Sequence, residues 1–169
     1  MYDEISFELT GRPPRTALVV EDDPRLLQCM RRQLGRAGFR VLSAHHYDAA
    51  LLHLAARTPH VISIDVGLPA QSGYELCEYI RGPLGLANVP IIITSEWGYS
   101  DDMAFAEAAG GNAFLRKPFS ARQFQNCVDS LLDLDPSSAP PEHELEQLAS
   151  RALARAAFAR GNAQIALAV

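Results

Sequence analysis

Four short stretches of the chain hold residues that could act on one ligand: Glu21-Asp22-Asp23, Asp65, Thr94-Ser95-Glu96 and Arg116-Lys117-Pro118. Each ends or follows a short apolar run. In an open parallel sheet, ligands bind outside the carboxyl ends of the strands, where the strand order reverses. If the first and third runs are neighbouring strands, three or four carboxylates crowd one edge, and like charges so close need a cation. A hard divalent ion answers that need. Mg²⁺ suits a site open to solvent, because it keeps several waters and takes one or two protein carboxylates plus phosphate oxygens. Asp23 directly precedes Pro24 and has a second reading, as the cap of a helix. Lys117 is the one lysine among 15 basic residues, the others being arginine. A compact ammonium point charge is what such a site would select.

The elements that must position these residues can be read from apolar spacing. Continuous apolar runs, rich in β-branched residues, at 17–20, 41–42, 61–64, 91–94 and 113–115 fit strands buried on both faces. Between them, apolar residues spaced by three and four predict helices. The first helix starts at Pro24 and ends at Gly35 or Gly38, and others span 47–57, 73–81 and 101–109. A fifth, capped by Ser120, runs through 132. Five βα units with right-handed connections make a doubly wound five-stranded parallel sheet, an α/β fold.

Composition narrows the class. At 169 residues the chain holds one ordinary domain plus a short appendage, since domains run to roughly 100–150 residues. With 48% hydrophobic and 21% charged residues it can bury a core. The net charge of −5 gives no general attraction to nucleic acid or anionic lipid, and no basic patch of useful size stands out. Cys29, Cys77 and Cys127 are odd in number and lack close pairing, which argues against disulfides or a zinc site and for small buried side chains in a reducing compartment. His45, His46, His53 and His60 read as surface histidines. No run reaches the ~18–20 apolar residues of a membrane helix, so a cytoplasmic protein without membrane contact is expected. The expected organisation is a disordered lead-in over 1–15, a domain over 16–134, a Pro/Ser-rich linker over 135–141 and a helical tail over 142–169.

Val19-Val20-Glu21-Asp22-Asp23-Pro24, Ile64-Asp65-Val66-Gly67-Leu68-Pro69 with Gly73, Pro90-Ile-Ile-Ile-Thr-Ser95 and Phe114-Leu115-Arg116-Lys117-Pro118-Phe119 resemble, in order and spacing, the receiver domain of two-component response regulators, the CheY-like family. The resemblance covers 16–134 and implies the flavodoxin-like strand order 2-1-3-4-5. It implies that Asp65 accepts a phosphoryl group from a histidine kinase or phosphotransfer protein. Asp22, Asp65 and the Gly67 carbonyl would then hold Mg²⁺, with Glu21 acting through a water. Lys117 would pair with a phosphoryl oxygen, Ser95 would donate its hydroxyl to the phosphoryl group, and Phe114 would occupy an aromatic switch position. Adjacent strand residues face opposite ways, so only one of Thr94 and Ser95 can point at the site, and counting from Pro90 selects Ser95.

One departure stands out. The position after the switch hydroxyl is usually small in receivers, and here it is Glu96, followed by Trp97; a carboxylate would repel an incoming anion and an indole would screen water. No enzymatic activity is expected beyond the module's own phosphotransfer and dephosphorylation. The downstream protein target is unknown, and a phosphorylation-dependent dimer is one further partner. Two alternatives remain: a non-phosphorylated receiver-like interaction module, and a truncated transcriptional regulator whose residues 151–168 begin a helix-turn-helix. The chain stops before a full recognition helix, so DNA binding by this chain alone is not expected.

Overall fold

The computed structural model describes residues 15–96 and 100–133. Most of the lead-in, Trp97, the linker and the tail lie outside these residues. Ten elements alternate strictly: β1 (Thr16–Val20), α1 (Pro24–Arg36), β2 (Arg40–Ala44), α2 (Tyr47–Ala56), β3 (Val61–Asp65), α3 (Gly73–Arg81), β4 (Ile91–Ser95), α4 (Ser100–Ala108), β5 (Ala113–Arg116) and α5 (Ala121–Asp133). The sheet is parallel, as the apolar runs predict, with the order β2-β1-β3-β4-β5 that the resemblance implies. The condition set on the acids is met, because β1 and β3 are neighbours.

β1, β3 and β4 are buried at every position, which is why they read as continuous apolar runs without alternation. Successive residues feed two cores. Leu18, Val20, Ile62, Ile64, Ile91 and Ile93 pack with Leu54, Leu76, Ile80 and Ala106 of α2, α3 and α4. Ala17, Val19, Val61 and Ile92 pack on the other side with Leu27, Met30, Leu34, Phe124 and Val128 of α1 and α5. At ~25 cal/mol per Å² of apolar surface, these layers are the main favourable term holding the strand ends in register.

Helix ends follow local chemistry. Asp23 caps α1, its carboxylate accepting from Arg25 N–H at 2.9 Å, with Pro24 in the first turn. Gly35 is inside α1; the stop is Gly38, whose φ of +84° costs a residue without a side chain little. Ser120 and Gln123 form a reciprocal capping box on α5. The histidines have structural work. His46 Nδ1 caps α2 by accepting from Ala49 N–H, His60 Nδ1 accepts from Thr16 N–H at 2.9 Å, and His53 Nε2 bonds the Ser43 carbonyl at 3.0 Å. Cys77 is buried, but Cys29 is exposed and Cys127 half-buried, so only one of the three fills the core completely.

Arg81 was not singled out by the sequence reading. Its guanidinium donates to the carbonyls of Gly110 (2.8 Å), Leu86 and Val89 (2.9 Å) and to Asn112 Oδ1 (2.7 Å). Asn112 Oδ1 in turn accepts from Ile91 N–H at 2.8 Å, which anchors the start of β4.

Gly73 opens α3 against the backbone of β3: a Cβ there would lie 2.0 Å from the Asp65 carbonyl oxygen and 2.9 Å from Ile64. Only glycine lets α3 start this close to Asp65. Gly73→Ala should therefore cost about 2 kcal/mol or more in urea unfolding, because two backbones must part. Gly35→Ala, with nothing within 4 Å of the added methyl, should instead gain about 0.5–1 kcal/mol. Equal midpoints for the two variants would contradict this packing.

Candidate functional site

The strand ends bring together the residues that the sequence placed there. Glu21 follows β1 and is fixed by its N–H on the Ala44 carbonyl at 3.0 Å. Asp65 is the last residue of β3, and the next N–H, that of Val66, donates to Thr94 O at 2.9 Å. Lys117 follows β5; its N–H donates to Ser95 O at 2.7 Å, and its bond to Pro118 is cis. Glu21 and Asp65 are 1% and 4% exposed, whereas Asp22 is exposed.

Lys117 Nζ lies 2.9 Å from Glu21 Oε2 and 3.0 Å from Asp65 Oδ1, and also donates to Glu21 Oε1 at 2.9 Å. One ammonium thus holds two buried carboxylates. Burial works against the Lys117 charge, but the hydrogen bonds and charges of Glu21 and Asp65 hold its pKa above the ordinary lysine value. Glu21 is pushed from 4.5 up to about 7, first by burial and then by the Asp65 charge, against the opposing pull of Lys117. Asp65 Oδ1 faces the ammonium, while Oδ2 lies toward Gly67, 3.5 Å from where a Cβ on that residue would stand.

Carboxylate oxygens of Glu21, Asp22 and Asp65 all lie within 4.8 Å of one another. An all-oxygen, acid-rich donor set with one exposed member fits a hard, partly hydrated divalent cation. These three residues border a cavity of about 670 Å³ together with Gly67, Ser95, Glu96 and Lys117. Thr94 does not reach it; its hydroxyl donates to Ile64 O at 3.4 Å, and Ser95 is the hydroxyl at the cavity, as the strand period requires. Glu96 is exposed at the rim, and Phe114 is partly buried against the core on the α2–α4 side.

Two residues at the cavity escaped the sequence reading. Tyr74 lines it and donates its hydroxyl to Asp102 O at 3.3 Å, tying α3 to α4; its signal was a tyrosine one place after the glycine that opens α3. Ala70, on the loop from β3, has a φ of +69°, an uncommon conformation for alanine that no pattern announces.

A doubly wound sheet with an acid-and-lysine cavity at the carboxyl ends of its strands has its ligand site where this fold class places one. The family model described as response regulator receiver domain matches residues 17–129. The chain belongs to that family. It is 34% identical over 107 residues to the transcriptional regulatory protein KdpE of Mycobacterium tuberculosis, covering 63% of this chain and 46% of that protein. With the transcriptional regulatory protein GltR of Pseudomonas aeruginosa the identity is 31% over 118 residues, covering 70% and 49%. The chain therefore spans about half the length of these curated relatives. Among solved structures, the receiver domain of Francisella response regulator 1452 has a TM-score of 0.65 at 25% identity, covering 70% of this chain and 97% of that one. Chemotaxis response regulator CheY4 of Vibrio cholerae has a TM-score of 0.67 at 24% identity, covering 70% and 99%, a likeness of fold. No helix of the described residues is long and apolar enough to cross a membrane.

The pH dependence of stability follows from Glu21. Its folded pKa is raised, so the stability it lends is complete below 4.5 and is lost as pH rises through about 7. Without divalent cations, urea unfolding of the parent should weaken between pH 4.5 and about pH 7, and Glu21→Gln should flatten that slope. Parallel profiles for the two proteins would remove Glu21 as the titrating group.

Proposed function

We propose that this chain is a phosphorylation-controlled receiver, with Asp65 as the acceptor of a phosphoryl group from a phosphohistidine on a histidine kinase or phosphotransfer protein. The observation that carries the reading is the joint placement of Asp65, Glu21, Asp22 and Lys117 at one cavity.

The donor set fits Mg²⁺, held by Asp22, Asp65 and the Gly67 carbonyl, with Glu21 acting through a water. Bound there, the ion would neutralise the equatorial oxygens of the transferred group. An Asp65 carboxylate oxygen attacks phosphorus, the P–N bond of the phosphohistidine breaks, and the imidazole leaves with the bonding pair. Lys117, already on Asp65 Oδ1, exchanges that partner for a phosphoryl oxygen. Ser95 donates its hydroxyl to the attached group, and Phe114 reports the change to the surface. Phosphoryl transfer asks for little more than such positioning and charge neutralisation.

The output is a protein partner switched by that event, and a phosphorylation-dependent dimer is one form it can take. The relatives carry transcriptional names, and the matched segment is only about half of each, so the expectation that this chain alone does not bind DNA stands as an expectation. The second reading, a constitutive interaction module, is favoured by Glu96 alone, an exposed carboxylate at the rim of the cavity.

Incubation with acetyl phosphate and Mg²⁺, read by intact mass, separates the two. The parent should gain one phosphoryl group and Asp65→Asn none; equal labelling of the variant would dismiss the acceptor, and an unlabelled parent would favour the constitutive module. Glu96→Ala should label about fivefold faster, the equivalent of ~1 kcal/mol of like-charge repulsion lifted from an anionic donor. A rate within twofold of the parent would place Glu96 outside the path of the donor.

A further inference from the structure

The net charge conceals a concentration of arginine on one side of the fold. Arg25, Arg31, Arg32 and Arg36 are all exposed on α1, and Arg40, at the start of β2, is exposed beside them. Among the described residues none of these five has a carboxylate within ion-pair distance, the ion pairs there being those of Lys117. Arg31, Arg32 and Arg40 rim a groove of about 570 Å³ whose floor includes Phe39 and Val41. The groove lies on the outer strand of the sheet, away from the cavity that holds Asp65.

Among the described residues, no strand pairs with the outer edge of β2. Arg40 N–H donates to Arg15 O at 2.8 Å, and Ala44 O accepts from Glu21 N–H at 3.0 Å, so Arg40, Leu42 and Ala44 turn their backbone groups toward β1. By alternation, those of Val41 and Ser43 turn outward. His53 takes the Ser43 carbonyl at 3.0 Å, so the pairing positions left beside the arginines centre on Val41. An exposed edge with outward backbone groups is a template for an added strand.

The sequence before Arg15 matches that template. Residues 4–9 read Glu-Ile-Ser-Phe-Glu-Leu, strict alternation of polar and apolar types, with Glu4 and Glu8 on one side and Ile5, Phe7 and Leu9 on the other. Beside β2, the α1 side presents arginine and the α2 side presents Leu42, packed against the apolar core there. The chain enters the described fold at Arg15, bonded to Arg40 at the foot of this edge. The five residues 10–14 reach up to ~16 Å extended, and the step from β1 to a position outside β2 is about two strand spacings, ~10 Å.

We propose that the edge of β2 and its arginine groove form the docking site for residues 4–9 of this same chain, which add as a short antiparallel strand with Glu4 and Glu8 on Arg31 and Arg32. The docked segment covers the open edge and neutralises part of the arginine cluster.

Amide hydrogen exchange on the full chain tests this. In the parent, amides within residues 5–9 and that of Val41 should exchange at least ~tenfold slower than unprotected amides. Arg31→Glu with Arg32→Glu should abolish that protection, as should Glu4→Arg with Glu8→Arg, and the four changes combined should restore it to within about threefold. Restoration separates an ion-paired dock from a fold weakened by either pair alone. Unprotected amides in the parent overturn the proposal, as does a combined variant no better protected than its parts. Protection that rises with protein concentration also overturns it, since the groove would then be filled by a second copy.

Discussion

Two carboxylates buried side by side are unstable without a counter-charge, and in this fold Lys117 supplies it for both. Glu21 and Asp65 are almost wholly shielded from water, and the ammonium contacts each within 3.0 Å. Taking ions out of water costs several kcal/mol apiece, a cost that only close, well-directed partners offset. Everything that sets the strand ends therefore bears on the site. The order β2-β1-β3-β4-β5 makes Glu21 and Asp65 neighbours, and the Lys117 N–H on Ser95 O ties the turn after β5 to β4. A single positive charge on two acids leaves the cluster short of cation, which suits a site that takes a divalent ion and an anionic group together.

The contacts around the site connect Asp65 with the surface. Gly73 sits against the Asp65 carbonyl, so the start of α3 packs directly on the end of β3. Tyr74, the next residue, reaches Asp102 on α4 and lies with its ring tilted by 51° to that of Phe105, which is 60% exposed. From carboxylate to exposed aromatic the path runs through contacts of adjacent residues. Signalling modules need such a path, because a transferred group small enough to fit one cavity must alter a surface large enough for a partner.

Much of this was legible in the sequence, for identifiable reasons. β1, β3 and β4 are buried on both faces, so their residue types declare them directly. Asp22, Asp65 and Lys117 are polar residues at the ends of such runs, where they break the apolar pattern. Other features depended on partners remote in sequence. Arg81 acts through carbonyls of the loops that precede β4 and β5, and no local pattern encodes that. The arginines of α1 are diluted by acids elsewhere in the chain total, so the −5 net charge suggested no basic patch while the helix built one. Gly35 and Gly38 are equally good stops on paper, and only backbone conformation, φ +84° at Gly38, separates them.

Lys117 holds the Glu21–Asp65 pair, and a thermodynamic cycle in divalent-free buffer at about pH 8, above the raised Glu21 pKa, tests it. Lys117→Met should cost about 3 kcal/mol in urea unfolding, since it strands two buried carboxylates. The same change made in a Glu21→Gln, Asp65→Asn background should cost less than ~1 kcal/mol, the difference being the coupling between the ammonium and its acids. Equal costs in both backgrounds would mean that the lysine does not stabilise the pair, and would contradict the account.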